Sequence, residues 1–181
     1  MALIVEDGTG LANAESYISV AAADTYFANR GNAAWANLAV LDPTGANKEQ
    51  ALRKATDYML QAYRERWAGY RCTVAQSLDW PRFEVPRKDV PGTYGRGYLV
   101  TYYDFKSVPA IVAQACAELA LRSLTQDLFP DTSRATSVER IGPIQVHYEA
   151  GSSQLVRFTA VDALLAPVLA TGSHQAAVGR G

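Results

Sequence analysis

Arg64, Arg66 and Arg71 alternate with Tyr63, Trp67 and Tyr70 in one short run. Guanidinium groups neutralise phosphates and aromatic rings stack on bases, so this is a pattern that single-strand binders use. Tyr63 and Trp67 also continue an apolar stripe at helical spacing, which places them in a core. The arginines can equally meet an acidic face on another copy of the chain. Core packing is therefore the first reading of this run, subunit contact the second and nucleic-acid contact the third.

Other reactive residue types lack partners at useful spacing. Ser77 and Asp79 have no neighbouring histidine, so no activated nucleophile is expected. Asp79 reads as a loop or helix cap. His147 falls on the polar face of a strand and His174 in the tail, and neither has a metal-ligand partner nearby. Gly8-Thr9-Gly10 lacks the third glycine and the following helix of a dinucleotide loop. The expectation is a non-enzyme with no cofactor and no metal.

The bulk numbers point to a globular chain. It has 181 residues, 49% hydrophobic and 19% charged, with a formal net charge of −1. That length supports one domain with arms. The charge excludes an overall basic surface. Its distribution is uneven, however. Residues 1–47 hold Glu6, Asp7, Glu15, Asp24 and Asp42 against Arg30, whereas residues 48–71 are mostly basic. Solvated faces account for this; so does a head-to-tail contact in which Glu6 and Asp7 of one copy meet Arg64, Arg66 and Arg71 of the next. Cys72 and Cys116 make no disulfide framework. No secretory leader and no membrane-length apolar run is evident, so the expected site of synthesis and folding is the cytoplasm.

The elements that position these residues are mainly helical. Residues 1–18 read as an extended arm and 19–169 as a helical bundle, with a tail at 170–181. Ser19 caps a first helix over 19–30. Residues 32–41 read as a turn anchored by Trp35 and Leu38. Asn47, with Gln50 three residues on, caps a second helix over 48–67, where Leu52, Ala55, Met59 and Tyr63 form one face. An aromatic-rich loop spans 70–107, with a possible strand over 98–103. Ser107 caps a third, nearly all-apolar helix over 108–128. Period-2 alternation then marks a β-hairpin within 138–158, with a third short strand at 155–158. Thr159 caps a last short helix. The fold class expected is a small helical bundle of three main helices plus a short C-terminal one, with a β-hairpin and extended arms. Trp35, Trp67, Trp80 and Pro81 are its expected anchors, with Asp79-Trp80-Pro81 plugging the bundle after the long helix.

The order of features also resembles a family of small tailed-bacteriophage proteins. The more specific matches are the opening eleven residues, followed by Ala14-Glu15-Ser16-Tyr17, and the run Gln76-Ser77-Leu78-Asp79-Trp80-Pro81-Arg82. Ala55-Thr56-Asp57-Tyr58, Val108-Pro109-Ala110, Ile141-Gly142-Pro143-Ile144 and Val161-Asp162-Ala163-Leu164-Leu165 extend the likeness over most of residues 1–169. Such sequences are labelled DnaT-like single-stranded-DNA-binding proteins and resemble phage head–tail adaptors. The adaptor likeness implies a structural virion protein at the head–tail neck. It would form a ring of about twelve copies under the portal protein and bind a neck, stopper or tail-terminator protein. Double-stranded DNA would pass through its lumen without specific binding, and no membrane would be involved. The portal contact expected is the tail, through Thr171, Gly172, His174, Val178 and Arg180. The label implies the alternative, a single-strand binder of a phage or primosome-like replication system.

Overall fold

In the computed structural model of the chain, the residues described are 2–42, 44–90, 100–130, 138–141, 144–147 and 157–170. Five α-helices and two short antiparallel ribbons occur among them. The helices are α1 (Val20–Ala28), α2 (Ala33–Leu41), α3 (Ala46–Tyr63), α4 (Ala110–Arg122) and α5 (Thr159–Leu165). One ribbon pairs β1 (Tyr70–Arg71) with β2 (Arg82–Phe83), and the other pairs β3 (Val138–Ile141) with β4 (Ile144–His147). The protein is thus mainly α with a β-hairpin, as its periodicities lead one to expect.

Helix α3 forms because Leu52, Ala55, Met59 and Tyr63 recur at steps of three and four, and all four are buried. Their partner is α4, whose Val112, Ala115, Cys116, Leu119 and Ala120 are fully buried. Small residues there let α3 approach closely on one side while α1 and α5 pack elsewhere on α4. Each Leu or Met so buried contributes about 1.5–3 kcal/mol.

Residues 32–41, read above as a turn, form α2. The Asn32 side chain accepts from the Trp35 N–H at 3.2 Å and supplies the missing cap. Trp35 is held inside by its indole N–H donating to Asp24 at 2.7 Å, an oxygen it shares with Lys48.

The helix ends differ from expectation in four further places. Ser19 does cap α1, accepting from Ala22. But α3 starts at Ala46, and Asn47 lies within it; Asp42 accepts from the Asn47 and Thr44 N–H groups instead. Ser107 donates to the Asp104 carbonyl, while Pro109 occupies the cap of α4. Thr159 is the first residue of α5 and makes no side-chain cap, and Asp162 turns away to Tyr63 and Arg66. Helix α3 also stops at Tyr63, after which Arg66 and Trp67 fold back on the Tyr63 carbonyl.

The N-terminal arm lies on its own domain. Val5 bridges Ser16, and Ser77 donates both its N–H and its hydroxyl to the Leu11 carbonyl. Gly8 sits so close to residue 106 that a Cβ there would lie 2.2 Å from the Lys106 carbonyl oxygen. Of the expected strand at 155–158, Arg157 and Phe158 lead directly into α5; residues 155 and 156, like the tail from 171, lie outside the described residues.

Candidate functional site

The loop expected at 70–107 starts from a tight backbone crossing. Gly69 adopts φ 65°, and a Cβ on it would meet the Phe83 carbonyl at 1.9 Å, so only glycine fits this crossing. The β1–β2 register that follows places Tyr70 opposite Phe83 and Arg71 opposite Arg82. Because side chains alternate along a strand, the two pairs leave on opposite sides of the ribbon. Arg82 turns inward, donating to the Ala68, Gly69 and Asp79 carbonyls at 2.8, 2.6 and 3.1 Å. Tyr70 and Phe83 face out, 70% and 39% exposed.

A third ring joins them. Phe105, 42% exposed, stacks on Phe83 with centroids 4.7 Å apart and planes 25° from parallel. Its position is fixed from behind by the Cys72 thiol, which donates to the Phe105 carbonyl at 3.3 Å. Nearby, Tyr103 donates to the Val85 carbonyl and Arg87 to that of Thr101, so 85–87 and 101–103 run side by side. The Lys106 ammonium lies 5.6 Å from the Phe105 ring centre. Burial pushes the Cys72 thiol pKa up, which keeps the sulfur protonated and a donor. Phe83 and Phe105 therefore form an exposed stacked pair with Tyr70 opposite Phe83 across the ribbon, and together these three make an aromatic platform.

Beneath the platform is the plug. Trp80 is fully buried and meets Trp67 and Tyr103 edge-on at 5.9 and 6.5 Å. Its peptide bond to the buried Pro81 is cis. Asp79 is fully buried too, and it caps nothing. Its carboxylate accepts from the Trp67 indole N–H at 3.2 Å and from Arg64 at 3.3 Å. The Asp79 N–H donates to the Tyr17 hydroxyl, whose pKa is raised by burial and then by the Asp79 charge.

The arginine–aromatic run divides accordingly. Tyr63 and Trp67 are core, 1% and 5% exposed, whereas Tyr70 joins the platform. Arg66 pairs with Asp162 at 3.1 Å over the Tyr63 ring. The Arg71 guanidinium donates to the Gln76 carbonyl, bracing the 72–81 loop. Glu6 is only 5% exposed, and its carboxylate accepts from the Gly8, Gly10 and Leu11 N–H groups at 2.8–2.9 Å. Asp7 is exposed and bonds Thr9. Of the acids expected to face another copy, Asp7 alone remains on the surface. Thr171, Gly172, His174, Val178 and Arg180 lie outside the described residues.

No group of three or more metal-ligating side chains occurs among the described residues, and no described helix is long and apolar enough to cross a membrane. A cleft of about 460 Å³ between α3 and the chain after α4 is lined by Lys54, Asp57, Gln61 and Phe129. Desolvation there raises the Asp57 pKa. Phe83 and Phe105 are not distinguished by sequence spacing. The signal that points to them is the aromatic density of 70–107, which reads as buried rings but includes exposed ones.

A family model described as "Putative DnaT-like ssDNA binding protein" matches residues 1–181. Searches of curated proteins and of solved structures each give no match.

Proposed function

The chain belongs to the DnaT-like ssDNA-binding protein family, and on that footing we propose that it binds single-stranded DNA through the Tyr70, Phe83 and Phe105 platform. The observation that carries this reading is the Phe83–Phe105 stack, whose two residues remain 39% and 42% exposed beside the 70% exposed Tyr70. Each base has a π-face, so such a surface takes unpaired bases of any sequence, at about 1–3 kcal/mol per stacked base. A duplex offers no free base face except at its ends. Fluorescence anisotropy with a labelled oligothymidine tests it; the single strand should bind, and the same strand annealed to its full complement should bind at least about tenfold more weakly.

A second reading is the head–tail adaptor of a tailed phage, placed in the virion neck between portal and tail. Exposed aliphatic side chains favour it. Val74 is fully exposed and Leu41 is 78% exposed, and aliphatics contribute little to base stacking but suit protein contacts. In this reading the platform meets a neighbouring copy or a neck protein. Micrographs of assembled particles test it: a ring at the head–tail vertex labelled by antibody to this chain supports it, and unlabelled vertices contradict it.

A further inference from the structure

We infer that the cleft between α3 and the chain after α4 is a second site, which takes one guanine base on the Asp57 carboxylate. It shares no residue with the platform, so it holds or fails independently of the single-strand reading. Lys54, Asp57 and Gln61 follow one another at steps of three and four on α3 and line one wall together. Gln126 and Phe129 belong to the other wall, and the space between is about 460 Å³, the size of a small-molecule cleft. Phe129 is 49% exposed and backed by Tyr58, with ring centroids 6.1 Å apart, which leaves ring surface for stacking.

The two acids of the cleft differ. Asp127 accepts from the Phe129 N–H at 3.2 Å. Asp57 takes no hydrogen bond or ion pair from any described residue, and desolvation raises its pKa. Its two oxygens are open acceptors, one helical turn from the ammonium of Lys54. The complementary ligand is flat and carries two adjacent donors for Asp57 with an acceptor beside them for Lys54. The pairing edge of guanine presents N2–H, N1–H and O6 in that order. Thymine has one N–H between two carbonyls, and adenine and cytosine set one amine beside a ring acceptor. Guanine is thus the DNA base whose pairing edge meets both carboxylate oxygens, and bonds to the ionised carboxylate offset its desolvation. A guanidinium also has paired donors, but it has no acceptor for Lys54 and is repelled by that charge. In a duplex this edge is occupied, so the ligand is an unpaired guanine of a strand or a free guanine nucleotide.

The test titrates the full chain with deoxyguanosine, deoxyinosine and deoxythymidine monophosphates and with arginine amide, read by backbone amide NMR shifts. Deoxyinosine lacks the N2 amine, and the phosphate is common to the three nucleotides. The guanine nucleotide should shift residues 54–61 and 123–129 saturably, with a Kd about tenfold or more below those of the other three ligands, as a lost bidentate contact implies. Asp57→Asn should abolish that preference at unchanged Tm. Equal affinity for the inosine or thymidine nucleotide, tighter binding of arginine amide, or no saturable shift at these residues overturns the inference. An oligothymidine with one central deoxyguanosine separates the two sources. Tighter binding than the plain oligothymidine supports a strand guanine, and no gain beside a bound free nucleotide supports the nucleotide.

Discussion

The Trp67 indole N–H donates to the Asp79 carboxylate across 3.2 Å, inside the molecule, twelve residues away along the chain. This bond ties the end of the α3 region to the loop that carries Trp80 and Pro81. Asp79 takes a second donor from the half-exposed Arg64. Asp79→Ala leaves the Trp67 N–H without an acceptor in the core. A buried unsatisfied donor costs about 1–3 kcal/mol, and urea denaturation should show a loss in that range. Arg64→Ala removes only the solvent-facing partner and should cost clearly less.

Trp80 is the largest side chain in the plug, fully buried between Trp67 and Tyr103. Trp80→Ala should cost about 3–5 kcal/mol in the same assay. Its Nε1 has no hydrogen-bond partner among the described residues, so Trp80→Phe loses ring volume without losing a bond and should be milder. Equal stability of Trp80→Ala and the parent chain would remove Trp80 from the core account.

Gly69 couples the core to the platform. Its positive φ and the 1.9 Å approach of the Phe83 carbonyl leave no room for a Cβ. Gly69→Ala should destabilise by at least about 1–3 kcal/mol through backbone strain, and it should weaken strand binding because Phe83 moves with its carbonyl. A variant that melts earlier yet binds normally would separate the two.

Acid sensitivity follows from Glu15. Hydrogen bonds from Arg53, then from the Ile4 N–H, hold its carboxyl below the usual glutamate range. A folded-state pKa below the unfolded one stabilises above the unfolded value and is lost as pH falls through the folded value. Thermal stability should therefore decline below about pH 4. Glu15→Gln should flatten part of that decline, as read by Tm against pH.

The sequence carries the helices well and the site poorly, for physical reasons. Periodicity finds α3 and α4 because a buried stripe leaves a repeat of three and four. It finds the β3–β4 hairpin because alternation survives around Gly142-Pro143. Caps are harder: Asn47 and Ser107 are good cap residues by type, yet the Asn47 N–H is met by Asp42, and Pro109 holds the cap position of α4 with no side-chain bond. Helix α2 is hidden because its nine residues hold no polar face to contrast with an apolar one. The platform is least legible. Phe83 and Phe105 are 22 positions apart (105 − 83), and the pairing of 85–87 with 101–103, the Gly69 crossing and the Cys72 bond to the Phe105 carbonyl bring their rings together. Asp79-Trp80-Pro81-Arg82, conspicuous in sequence, turns out to be the floor beneath that platform.

The central claim is that exposed rings on this floor bind single strands. The most direct measurement is the Kd of a labelled oligothymidine for the full chain and for the double variant Phe83→Ser, Phe105→Ser, with melting curves to establish that both are folded. Loss of stacking predicts a Kd about 10- to 100-fold weaker at unchanged Tm. An unchanged Kd, or a parent chain that does not bind the strand, contradicts it.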